Sequence, residues 1–394
     1  MAARARSVKP RIIVSGILFW YPLAGVTYQF LHYLLGLRRL GYEPYYIEDS
    51  ARWTYDPNLN EPSPDPTGNV ARVAAVLERF GLGERWAYRS HGPQGRCFGM
   101  TEGAVRRLYR EADAFLNVTG AQELREEHLG CPRRIYVQSD PFAFQVKASQ
   151  GDAGTLATLQ GHHTLFSFGE NLGAPDCETP TGPFTWLPTR QPVILDLWSD
   201  AAAVGGAAYT TVTNWRNTSN DVVYRGRTYY WRKDREFRRF LDLPRRCPTR
   251  FELATSTERS TRTLLRQHGW QHRSAIEVSS DLDRYQSYIA TSRGEFTVAR
   301  DQYVRPRTGW FSDRSACYLA AGRPVITQET GFSKVLPTGK GLFAFTTMDE
   351  ILGAVAAIES DYEGHCRAAR EIAAEYFGAE RVLDSLLTRA GLAA

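Results

Sequence analysis

Apolar residues cluster along this chain in short runs, separated by stretches with helical spacing. Residues 11–18 form a nearly continuous apolar run, the pattern of a parallel strand buried on both faces. A loop carrying Pro22 and Gly25 follows. Thr27 then stands where it can cap a helix whose Phe30, Leu34 and Leu37 share a face. Gly41 ends that helix, and residues 45–47 make a second strand closing on Glu48 and Asp49. This strand–loop–helix–strand opening predicts a doubly wound α/β sheet. Residues 113–118, 134–138 and 164–168 read as three more buried strands. They run into Thr119-Gly120, Ser139-Asp140-Pro141 and Gly169-Glu170-Asn171. In open α/β sheets ligands bind where such loops meet.

Residues 173–192 are rich in proline and glycine and mark a boundary, giving domains 1–188 and 189–394. Strands are predicted in the second domain at 209–212, 275–278, 295–299 and 324–327. Helices are predicted at 281–289 and 312–321. Met348, Ile351, Leu352, Val355 and Ile358 mark one more apolar helix face, and a helical tail over 362–392 is interrupted near Tyr376-Phe377-Gly378.

The totals narrow the function. A chain of 394 residues is long enough for two cores. With 48 basic residues against 43 acidic ones, the net charge of +5 argues against a nucleic-acid partner and suits a pocket for an anionic diphosphate. No run reaches the ~18 apolar residues of a membrane span. The six cysteines show no C-x-x-C spacing, and the basic start, residues 1–10, lacks the features of a signal peptide. A cytoplasmic protein with reduced thiols is expected.

Residues 292–332 carry the most information. They read strand, polar loop, helix, Gly-x-Pro turn, strand, polar loop. The helix opens after Gly309-Trp310-Phe311-Ser312-Asp313-Arg314-Ser315, with Ser312 or Asp313 as its cap. Gly309 lets a ligand approach the backbone. A helix N-terminus offers free N–H groups and a partial positive charge to a phosphate, and Arg305, Arg307 and Arg314 can add bidentate contacts.

This segment resembles the donor-binding half of the GT-B glycosyltransferases, in which such a helix ends in an Ala-x-Gly-x-Pro-Val turn, here Ala320-Ala321-Gly322-Arg323-Pro324-Val325. The resemblance implies two Rossmann-like domains facing each other across a cleft, with the C-terminal helix crossing back to the first. It implies sugar transfer from a nucleotide-sugar such as a UDP-sugar, a co-substrate rather than a cofactor, to a small-molecule or glycan acceptor. It also implies that the loop Glu329-Thr330-Gly331 binds the transferred sugar. Many relatives carry a ribose-binding glutamate five residues before the turn's glycine; this chain has Cys317 there, with Asp313, Glu295 or Glu329 as possible replacements. No Asp-x-Asp metal motif is present, so metal-independent chemistry is expected. Two other readings fit the layout: a sugar-nucleotide 2-epimerase of the same fold, and a non-catalytic protein binding nucleotide or nucleic acid.

The candidate residues follow. On the donor side they are Arg216, Arg293, Gly309, Trp310, Ser312, Asp313, Arg314, Ser315, Glu329, Thr330 and Gly331. Arg293 has a surface ion pair as its alternative. On the acceptor side Gly25, Thr27 and Asn171 open onto the same rim. Asp140 and Glu170 each follow a buried strand and can serve as general base, or cap a turn.

Overall fold

The computed structural model describes residues 9–49, 51–57, 59, 61–92, 95–199, 206–216 and 220–392. The first eight residues, most of the basic start, lie outside them. Two parallel sheets organise the chain. The first contains β1 (Arg11–Ser15), β2 (Glu43–Glu48), β3 (Trp86–Arg89), β4 (Cys97–Gly99), β5 (Ala114–Val118), β6 (Arg134–Gln138), β7 (Thr164–Ser167) and β8 (Trp186–Pro188). Their order is β8-β7-β6-β5-β1-β2-β3-β4, parallel except for the edge strand β4. The second contains β9 (Ala208–Asn214), β10 (Arg250–Ser256), β11 (Gln271–Arg273), β12 (Gly294–Thr297), β13 (Val325–Gln328) and β14 (Leu342–Phe345). All six are parallel, in the order β11-β10-β9-β12-β13-β14.

Helix α1 (Ala24–Arg39) is buried nearly all round, with only its last turn exposed. A helix apolar on every face needs neighbours on every face. It finds them in the first sheet and in three helices of later sequence: α2 (Leu282–Ala290), α3 (Asp313–Ala320) and α4 (Ala379–Arg389). The Tyr28 ring stacks on Tyr285 of α2, with centroids 6.0 Å apart. Trp198 donates its indole N–H to His32 at 3.3 Å, and burial holds that imidazole neutral, its pKa down to about 3. One apolar core therefore runs from Ile12 and Val14 of β1 through Leu34 to Leu319 and Leu383.

Several expected elements shift. Thr27 lies inside α1, its hydroxyl donating to the Leu23 carbonyl at 3.1 Å, because the helix starts a turn earlier, at Ala24. Residues 275–278, expected as a strand, are helical. Ser274 caps Ala275–Ser279 by accepting from the Glu277 N–H, and the strand is displaced to β11. Strand β10 was not anticipated, although Phe251 and Leu253 alternate with polar neighbours and are buried. The tail divides into Tyr362–Ile372, a π turn over Ala373–Phe377, and α4. Between the sheets, Val193 donates to Phe377 O at 2.7 Å and accepts from Ala379 N at 2.9 Å, so the linker and the returning tail run side by side.

Gly36 is where α4 meets α1. A Cβ there would stand 2.5 Å from Leu383 Cδ1 and 3.0 Å from Ala379 Cβ. Overpacking of this kind costs ~1–3 kcal/mol. Gly36→Val is expected to lower stability by that amount in urea denaturation.

Candidate functional site

The carboxyl ends of the two sheets bring two loops of the first domain against loops of the second. After β6, Ser139 and Asp140 turn toward the loop after β12. Arg300 donates to Asp140 Oδ1 at 2.7 Å, the Tyr303 hydroxyl donates to the same oxygen, and Ser139 Oγ donates to Oδ2 at 3.2 Å. Arg300 lies flat over Trp231, 3.4 Å from the ring centroid, and Tyr303 packs on Trp310 at 4.4 Å. Trp310 in turn donates its indole N–H to Ser139 O at 2.9 Å. The next turn is strained: Phe142 has φ 97°. Such a conformation costs on the order of 1–3 kcal/mol and persists only where surroundings enforce it. Here Gln145 Oε1 accepts from the Phe142 N–H at 2.8 Å, and the ring packs 4.5 Å from Tyr229, in the second domain's hairpin Val222–Tyr224 and Arg227–Tyr229.

Lys233 is 7% exposed and opens a short helix, Asp234–Arg239. Among the described residues its ammonium has no hydrogen-bond partner; the Trp310 ring lies 6.0 Å away. Burial, together with the charges of Arg314 and Arg300, pushes its pKa well below that of an ordinary lysine. Asp313, at the start of α3, has no side-chain partner among the described residues, and burial with the nearby charge of Asp140 pushes its carboxyl up to about 7. Further along the same rim, beyond β10 and β11, a cavity of about 490 Å³ is lined by Thr255, Ser256, Thr257, Glu258, Arg262 and His272.

No family model matches this chain, and no curated protein does. Solved structures do. An alpha-glucosyltransferase in complex with UDP and a 13-mer DNA superposes with a TM-score of 0.62 at 9% identity, over 97% of this chain and 99% of that one. Sucrose-phosphate synthase from Thermosynechococcus elongatus gives 0.53 at 11% identity, over 97% and 98%. AviGT4, a glycosyltransferase involved in avilamycin A biosynthesis, gives 0.54 at 11% identity, over 97% of each chain. The chain has the GT-B fold.

Within the GT-B cleft the expected residues separate into three groups. Asp140, Trp310 and the N-terminus of α3 meet there. Ser312 occupies the N-cap without a side-chain bond, and Ser315 Oγ is buried without a partner among the described residues. Arg216 is exposed after β9. The loop after β13 is tied to itself and to Trp310: Glu329 accepts from the Gly331 N–H, and Thr330 Oγ1 donates to Trp310 O at 2.6 Å.

A second group serves the contact between domains. Gly309 (φ 81°) has its bare side against the first domain, where a Cβ would stand 2.4 Å from Asn171 N, so the backbone it admits is the protein's own. Asn171 donates to Arg307 O at 2.7 Å and accepts from Lys334 at 3.1 Å. Glu170 is turned onto Arg190, 2.5 Å away, in a half-buried ion pair. Gly25 faces the Tyr285 hydroxyl, and Thr27 is enclosed in α1.

Two arginines are corrected outright. Arg293 precedes β12 and lies at the amino end of the sheet, away from the cleft. It pairs with Glu359 at 2.5 Å and stacks on Tyr362 at 3.5 Å, so the ion-pair alternative describes it. Arg314 does not extend toward a ligand. Its side chain runs inward beneath the strand ends, donating to Glu295 at 2.5 Å, Val212 O at 2.8 Å and Thr297 Oγ1 at 2.9 Å. Glu295 is 0% exposed, and a buried carboxylate requires this countercharge. That pairing also withdraws Glu295 as a replacement ribose ligand.

Sequence reading missed Lys233, Arg300 and Tyr303. Arg300 follows a buried strand, the same signal that singled out Asp140. Lys233 follows none: only the folded hairpin places it under Trp310.

Arg314→Met leaves Glu295 buried without its countercharge, which costs ~3–5 kcal/mol. Urea denaturation is expected to show that loss, and Arg314→Met with Glu295→Met to recover most of it. An unchanged midpoint in the single variant would contradict the structural role.

Proposed function

We propose that this protein transfers a sugar from a nucleoside-diphosphate sugar to an acceptor. The observation that carries this reading is Lys233. Burial disfavours the charged form of this amine, and an anionic ligand would supply the countercharge that restores it. The amine stands with Arg300 beside the N-terminus of α3, whose free N–H groups favour phosphate. The hydroxyl-lined cavity beyond β10 and β11 is on the same rim and takes the nucleoside. The similar structures solved with UDP support a uridine donor. The diphosphate leaving group is then stabilised by Lys233, Arg300 and the helix terminus, which do the work a metal does elsewhere.

On the facing rim, Asp140 is the carboxylate placed to meet an acceptor hydroxyl, as general base if the transfer inverts the anomeric centre. The acceptor is a small molecule or glycan. The DNA held by one similar structure keeps a nucleic-acid acceptor among the compounds to be tested, since overall charge balance does not decide what a cleft binds. Among the described residues no helix is long and apolar enough to cross a membrane.

Two measurements test the reading. Lys233→Met is expected to weaken UDP binding by ~1.5–3 kcal/mol, the worth of a charge-assisted contact, while leaving uridine binding unchanged. Equal UDP affinity in calorimetry would remove Lys233 from the donor site. Turnover of the donor is expected to persist in EDTA; complete loss, restored by Mg²⁺ or Mn²⁺, would refute the metal-independent leaving-group site.

A further inference from the structure

We propose that Asp140 competes with the donor's phosphate for Arg300 and Tyr303, so that donor binding and release of the Asp140 carboxylate to the acceptor are one exchange. The inference rests on the nucleotide-sugar reading and deepens it.

The contacts are unequal in a telling way. Arg300 and Tyr303 belong to the second domain and are held from behind. The guanidinium lies on Trp231 at 3.4 Å, and the phenol on Trp310 at 4.4 Å. Their donor atoms stay in place whichever anion they serve. Asp140 belongs to the first domain and its side chain is 44% exposed on a loop, with only Ser139 of its own domain bonded to it among the described residues. Of these partners, the carboxylate is the one free to leave.

The charges agree. Arg314 is neutralised by Glu295. Among the described residues that leaves Arg300, the N-terminus of α3 and the amine of Lys233, whose charged form an anion would favour, around the Asp140 carboxyl. Asp313 is a weaker contributor, because burial and the nearby charge of Asp140 raise its carboxyl to about 7. One aspartate leaves this cluster short of negative charge, and a diphosphate supplies more. A phosphate oxygen that takes the Arg300 nitrogen now holding Asp140 must displace it, since like charges brought to hydrogen-bond distance repel strongly.

The strained turn adds a restraint. Phe142 at φ 97° is kept in place by Gln145 and by the second domain's hairpin, two residues beyond Asp140. The backbone of the loop is thereby fixed while the carboxylate itself can rotate away.

The exchange predicts a gain of affinity on removing the acid. If Asp140 holds Arg300 in about nine molecules of ten, apparent donor affinity is lowered about tenfold, and neutralising it restores that factor. Calorimetric titration of the whole chain with UDP is expected to show Asp140→Asn binding about tenfold tighter than wild type and Arg300→Gln about tenfold weaker. Uridine, which has no phosphate, is expected to bind all three equally. Asp140→Ser, with native near-UV circular dichroism as the check on folding, is expected to behave as Asp140→Asn. UDP affinity that is unchanged or lower in both Asp140 variants overturns the exchange and leaves the donor reading standing. So does a parallel rise for uridine. Failure of wild type and Asp140→Asn alike to bind UDP, GDP or dTDP overturns the donor reading and the exchange with it.

Discussion

Helix α1 cannot be solvated on any face, and the rest of the molecule is arranged around that constraint. Its first turns face the second domain through Tyr28 and Tyr285, and its later turns face α4 at Gly36. The first sheet supplies one side of its burial; Trp198 and three helices more than 240 residues away in the chain supply others. The two domains are consequently parts of one apolar core, although each has its own sheet. This sets the width of the cleft, because the loops that line it are rooted in strands whose helices are already packed together.

Within that frame the site depends on how two buried cations are treated. Arg314 is given a carboxylate, two further acceptors and no outlet. Lys233 has no hydrogen-bond partner among the described residues, two arginines near it and the Trp310 ring 6.0 Å away. The same residue class therefore performs opposite tasks in one site: one neutralises the ends of the strands, the other awaits an anion. Burial alone does not separate them. The separation comes from Glu295, which lies on β12 directly across from β9 and accepts from both Arg314 and Thr211.

Much of the fold was legible because parallel strands buried on both faces leave continuous apolar runs. β1, β5, β6 and β7 were visible for that reason, as were β12, α3 and β13. Short or edge strands were not: β4 has three residues with no strong pattern, and β11 lies next to a serine-capped helix that carries the stronger apolar signal. The candidate site was legible where a residue's position follows from its strand, as at Asp140. It was misleading where only residue type and sequence proximity were available. Arg293 and Arg314 both border the informative segment, yet one lies at the wrong end of a strand and the other points inward. Tertiary pairing decides such cases, and Glu359 and Glu295 carry no local signature that announces it.

The side-by-side passage of the linker and the returning tail gives the chain an unusual division of labour. Covalent continuity between the halves runs through residues 189–207 alone, whereas α4 is seated on α1 by packing, with the Val193 hydrogen bonds beside it. Scission of the peptide chain in that linker would not set the domains adrift. The amino-terminal half presents α1 as a receptor, the carboxy-terminal half carries α4 as its ligand, and the protein is in this sense a heterodimer whose two subunits happen to share one translation product.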